Sequence, residues 1–163
     1  MTSAPEERDQ PGRPRLLYSA VTDETAALRN YRLLAEMLVD YLAETAADHA
    51  AAAIDAGRSY GRRMVHAPQA GERVDADTAI RAVATLLDQA GFRPRRSAAG
   101  IDLHRCPFRE LAESAPDIVC GIHLGMMRGV LAELGAPVEA VRLRPFAEPD
   151  RCVAELRPRK ETE

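Results

Sequence analysis

No stretch of the 163 residues approaches the run of about eighteen apolar residues that crosses a membrane, which argues against a transmembrane helix. The opening, MTSAPEERDQPGRPR, is polar and lacks the apolar core of a secretory signal, so a cytoplasmic address is expected. Cysteine is scarce: Cys106, Cys120 and Cys152 are the only three. An odd number in a reducing compartment disfavours a structural disulfide, and no tight C-x-x-C pair is present. Tryptophan is absent, and Lys160 is the only lysine among 22 basic residues. The formal net charge is -3, so nothing marks the whole surface for nucleic acid. A nucleophile elbow, a phosphate-binding loop and H-E-x-x-H are all missing, and no enzyme is expected.

What is there suffices for one folded domain with a proper core: 46% of the residues are hydrophobic and 29% charged. Residues 1–13 show no periodicity and read as a tail, followed by a short extended segment, RPRLLYSAV. Thr22, Asp23 and Glu24 suit a helix start. From there Leu28, Tyr31, Leu34, Ala35, Leu38, Val39 and Leu42 recur at helical spacing. The alanine-rich run that follows extends the helical reading to residue 65, with Gly57 and Gly61 as breaks or close-packing points.

Beyond the loop at 66–77, Asp75 or Asp77 caps a second helix that closes at Gly91. The segment FRPRRSAAGIDLHRC then reads as a hairpin turning at Ala98–Gly100. A short helix follows Pro107. Pro116 takes the first position of another helix, which ends at Gly135. VEAVRLRPF and RCVAELRPR alternate and form a second hairpin around AEPD. The expected fold is α+β: a long N-terminal helix plus a four-stranded antiparallel sheet of two hairpins, packed with helices.

The cysteines carry most of the chemistry. Cys106 ends a strand, Cys120 sits in the first turn of a helix, and Cys152 opens the last strand. Thiolates bind zinc and the iron of sulfide clusters, and a helix N-terminus stabilises an anionic thiolate. His104 shares a strand face with Cys106 by the period of two, and His123 shares a helix face with Cys120 by the i, i+3 rule. The competing reading is that all three cysteines are small buried hydrophobes.

CPF at 106–108, P-x-x-V-C-x-x-H at 116–123 and the late cysteine of PDRCVAEL together resemble a known group. That group is the C-terminal sensory half of DeoR/ArsR-like winged-helix transcriptional regulators, which includes the SufR-like iron–sulfur repressors. GRPRLLYSAVTDE (12–24) resembles the wing of the same regulators. The resemblance implies a homodimeric repressor binding operator DNA, with Cys106, Cys120 and Cys152 on a 4Fe-4S cluster that responds to redox or iron–sulfur status; the alternative is a zinc- or small-ligand-binding regulatory module without a cluster. Four-cysteine members place a further cysteine where this chain has a residue near Leu134, which leaves His123 or His104 as the expected fourth ligand. Wing residues Arg13 and Arg15 would contact DNA, unless they belong to a solvated basic tail. The recognition helix that precedes such a wing does not fit in the eleven residues before Gly12. The winged-helix domain is therefore expected to be missing or truncated, the chain being either a fragment or a shortened sensor-only relative. The implied division is a tail and wing-like remnant at 1–21, a long dimerisation or linker helix at 22–65, and a cysteine-containing α+β sensor domain at 66–163.

Overall fold

The computed structural model describes residues 2–5, 16–19 and 24–160, with side chains from Asn30 onward. Two compact units emerge, 1–37 and 38–163. The first contains a small antiparallel pair, β1 (Thr2–Pro5) with β2 (Leu16–Ser19), in which Thr2 pairs with Ser19 and Pro5 with Leu16. Part of the expected tail is thus a strand, and the wing-like segment has a partner. Non-local pairing decided this, which no local pattern in TSAP reveals. Arg13, Arg15 and the cap at Thr22 lie outside the described residues.

The expected helix over 22–65 is two helices. α1 runs Glu24–Thr45 and α2 His49–Arg63. Asp48 restarts the helix by accepting the Ala51 N–H at 2.9 Å, so the break falls at a side-chain cap and not at a glycine. Gly57 and Gly61 lie inside α2 and are buried. Along α1, Tyr31, Leu34, Leu38 and Tyr41 keep their helical spacing yet remain exposed.

The second unit is built around α5 (Pro116–Glu133), whose residues are buried nearly all round. Pro116 starts it and Gly135, at φ 59°, ends it in the left-handed conformation that favours glycine. On one side α5 meets α2 through glycines from both helices. Gly57 and Gly61 face the backbone of Ile122 and Met126, while Gly125 and Gly129 face that of Ile54 and Arg58. Without side chains between them, the two backbones approach to direct contact. α5 also packs on α3 (Ala76–Gln89), on the short α4 (Arg109–Ser114) and on the sheet.

The sheet is antiparallel, in the order β3 (Arg93–Ser97), β4 (Gly100–His104), β6 (Arg151–Pro158), β5 (Val138–Glu148). The α+β expectation with two hairpins therefore holds. Ile101, Leu103, Leu143, Cys152 and Ala154 are buried with Leu87, Met127, Val130 and Leu131 in one core. Arg142 and Arg144 both pair with Glu155, whereas Arg96 reaches Asp77 at the start of α3. β5 breaks register with β6 twice, between Ala140 and Arg142 and between Arg144 and Glu148. Both bulges redirect backbone groups toward side chains of other elements.

Candidate functional site

Cys106, Cys120 and Cys152 come from three separate elements, and all three are free thiols. They lie within electrostatic reach of one another: Cys152 acts on Cys106, and both act on Cys120. Cys152 is opposite Leu103 in the β4–β6 ladder, so its side chain points to the core face. Cys120 is buried on α5, and Cys106 is half-buried in the turn before α4.

Backbone geometry turns two amides onto these sulfurs. The second β5 bulge holds Phe146 at φ 49°, and its N–H donates to Cys152 Sγ at 3.4 Å. Arg105, at φ 54°, ends β4 and leads into Cys106, whose sulfur is addressed by the backbone N–H of Phe108. Left-handed conformations cost free energy in residues other than glycine. Two of them beside the same sulfur group are the unusual backbone feature of this sheet end.

Burial pushes the Cys106 thiol above its ordinary pKa, Phe108 N–H pulls it back, Cys152 raises it and Arg109 lowers it. Cys120 is pushed up to about 12, by burial first and then by Cys152, Cys106 and Asp117. The expected stabilisation of a thiolate at Cys120 by the helix start does not occur. Cys120 lies beyond the first turn of α5, where the helix dipole has faded, and burial wins.

The two histidines differ in setting, His104 on the sheet and His123 in the core. Arg105 breaks the strand alternation, so the period of two does not carry from His104 to Cys106. His104 is the neighbour of Leu103 in β4 and therefore points to the face opposite Cys152. His123 is buried against aromatic rings, edge-on to Phe92 at 4.9 Å and tilted to Phe108 at 5.5 Å. Burial alone drops its pKa to about 4, with no contribution from a cysteine. Its i, i+3 spacing from Cys120 placed it on the same buried helix but among rings.

Between Cys106 and Cys152 is a crevice of about 10 Å³, also lined by Leu103, Arg109 and Phe146, with room for roughly one water. A latch closes it: Arg109 Nη1 donates to the Pro149 carbonyl at 2.6 Å and reaches Asp150 at 3.2 Å, with the guanidinium over the Phe146 ring. Arg109 Nε is held by Glu113 at 2.8 Å. The sequence pattern did not single out Arg109, because its partners are forty residues away in the β5–β6 turn.

The three sulfurs carry two backbone amide donors between them, Phe108 N–H at Cys106 and Phe146 N–H at Cys152. In geometry they do not form a ready-made cage. Among the described residues no three His, Cys, Asp or Glu side chains converge on a point that could hold a metal ion. No helix among the described residues is long and apolar enough to cross a membrane. The chain matches no protein-family model, no curated protein and no solved structure.

Proposed function

We propose that this chain is the sensory part of a cytoplasmic transcriptional regulator, a homodimeric repressor that takes up an iron–sulfur cluster through Cys106, Cys120 and Cys152. One observation carries the reading: burial and the neighbouring sulfurs raise the Cys106 and Cys120 thiols, while backbone amides address Cys106 and Cys152. Such a group is uncomfortable with negative charge when bare. Iron supplies the positive charge that makes thiolates of such sulfurs.

The sulfurs fall short of the convergence that a single zinc ion, with Zn–S bonds of about 2.3 Å, demands. A cluster is a wider body and accepts more widely spaced sulfurs, which ranks it above zinc. Three cysteines would leave one iron of a four-iron cluster without a cysteine ligand, a place that His104, on the strand face opposite Cys152, does not fill. Seating a body wider than water requires the β5–β6 turn to lift and the Arg109 latch to release. Loaded and bare chains therefore differ in shape, which is what a sensor needs.

Two further features support the regulator assignment. The β1–β2 pair has the form of a wing. The exposed stripe of Tyr31, Leu34, Leu38 and Tyr41 on α1 has the spacing of a helix that packs against a second copy.

Anaerobic reconstitution with iron and sulfide is expected to produce a broad absorbance at about 400 nm. Cys106→Ser, Cys120→Ser and Cys152→Ser should each lose most of it while keeping the melting behaviour of the bare protein. A colourless product with one zinc per chain would replace the cluster with zinc. A colourless, metal-free product sinks the proposal.

A further inference from the structure

At the other end of α5 from the cysteines lies a second concavity, of about 560 Å³. Five arginines line it, Arg58, Arg62, Arg128, Arg157 and Arg159, against a single carboxylate, Glu139. The chain as a whole carries a formal net charge of -3, so this is a strong local reversal of sign. The concentration follows from packing. Gly129 lets the α2 backbone come against α5 at Arg58 and Arg62, which brings their side chains beside Arg128.

Arg128 is a fixed element of the wall. Its Nε donates to the Ala140 carbonyl at 2.8 Å and its Nη2 to the Val141 carbonyl at 2.7 Å, where the first β5 bulge turns the backbone outward. Among the described residues those two bonds leave Nη1 without a hydrogen-bond partner. Burial lowers the Arg128 pKa, and the charge of Arg58 lowers it further. Repulsion between cations is thus built into the cleft. Arg159 is tethered through its backbone, its N–H donating to the Pro137 carbonyl at 2.8 Å. Among the described residues no ion pair holds the guanidinium of Arg62, Arg157 or Arg159, whereas Arg58 is shared with Asp55 at 3.2 Å.

We propose that this cleft binds a small molecule carrying two or more phosphate groups. Guanidinium groups meet phosphate oxygens in paired hydrogen bonds, and several of them around a concavity match a multiply charged anion. The volume is that of a small-molecule site. Ala132 and Val141, both half-buried, add apolar wall for the non-phosphate part of such a ligand. A duplex backbone fits less well, because a concave cleft this size admits a compact anion and not a rod about 20 Å wide. The site lies about 12 Å along α5 from Cys120, eight residues at 1.5 Å each, and does not depend on the cysteines binding anything.

Isothermal titration of the full chain with tripolyphosphate tests the idea, with sodium sulfate at equal ionic strength as the control. Saturable binding of one tripolyphosphate per chain is expected, with no such signal from sulfate. The double variant Arg62→Gln/Arg159→Gln removes two cations that hold no ion pair, and should bind about tenfold more weakly or worse. Glu139→Gln should bind more tightly. If the double variant fails to melt cooperatively, Arg62→Gln alone decides by the same loss. Absence of saturable binding up to about 1 mM tripolyphosphate overturns the proposal. Equal binding by the arginine variants does so too, as does displacement of tripolyphosphate by duplex DNA at equal phosphate concentration.

Discussion

Gly125→Ala is expected to lower the stability of the second unit by about 3 kcal/mol, or roughly 10 °C in melting temperature. Two effects oppose each other. Alanine favours a helix interior over glycine by about 1 kcal/mol. A Cβ at 125, however, would sit well inside contact distance of the Ile54 carbonyl and close to the Arg58 amide. Both are backbone atoms within α2 and cannot rotate aside, so the helices must separate along their shared contact. That opens the core at Met127 and Val130, which are completely buried. The steric cost exceeds the propensity gain, and the sign is a loss. Gly121 supplies the control on the same helix, because a Cβ there meets the Ala53 Cβ at 3.3 Å and leaves room for a small adjustment. Circular dichroism melts should rank wild type and Gly121→Ala close together and Gly125→Ala far below. If Gly125→Ala melts with the other two, direct backbone contact between α2 and α5 is wrong.

The glycines show how far the pattern was legible. Gly57 and Gly61 sit four apart, and so do Gly121, Gly125 and Gly129. That spacing puts each set on one helix face, though reading 57 and 61 as breaks or as packing points needed the partner helix. Local signals worked where the chemistry is local. Asp75 caps α3 by accepting the Thr78 N–H, Pro116 starts α5, and Gly91 and Gly135 end helices at positive φ. The restart at Asp48 was also local, an aspartate before four alanines, but the alanines masked it by propensity alone.

Failures arose where a non-local term outweighed the local rule. Thr2–Pro5 became a strand only through Leu16–Ser19. Arg105 and Phe146 took left-handed conformations that neither residue type signals, and these reoriented the chain around Cys106 and Cys152. The dipole argument for Cys120 ignored burial. The arginine cleft was invisible in sequence except for Arg58 and Arg62 at i, i+4, because its other walls come from α5, β5 and the end of β6. The three cysteines lie within electrostatic reach of one another, yet among the described residues no three possible ligands converge on a metal position.

His123 should give the unit a steep dependence on acidity. The buried imidazole, between Phe92 and Phe108, has its pKa lowered from an ordinary 6.5 to about 4 because burial penalises the charged form. Below pH 6.5 the unfolded chain binds a proton at this position that the native chain refuses. Stability from the neutral ring is therefore fully present above pH 6.5 and is lost as pH falls toward 4, amounting to about 3 kcal/mol over that span. Asp75 and Glu155 also have lowered pKa values, but their losses begin in the carboxylate range and lie at the acid end of the window. Urea titrations at pH 7.5, 6.0 and 5.0 isolate the histidine contribution. His123→Gln stays neutral throughout. It should be less stable than wild type at pH 7.5, through lost ring contacts, yet show a flatter dependence down to pH 5. Parallel slopes for the two proteins would mean that protons reach the imidazole in the folded state, and the buried aromatic setting of α5 would have to be abandoned.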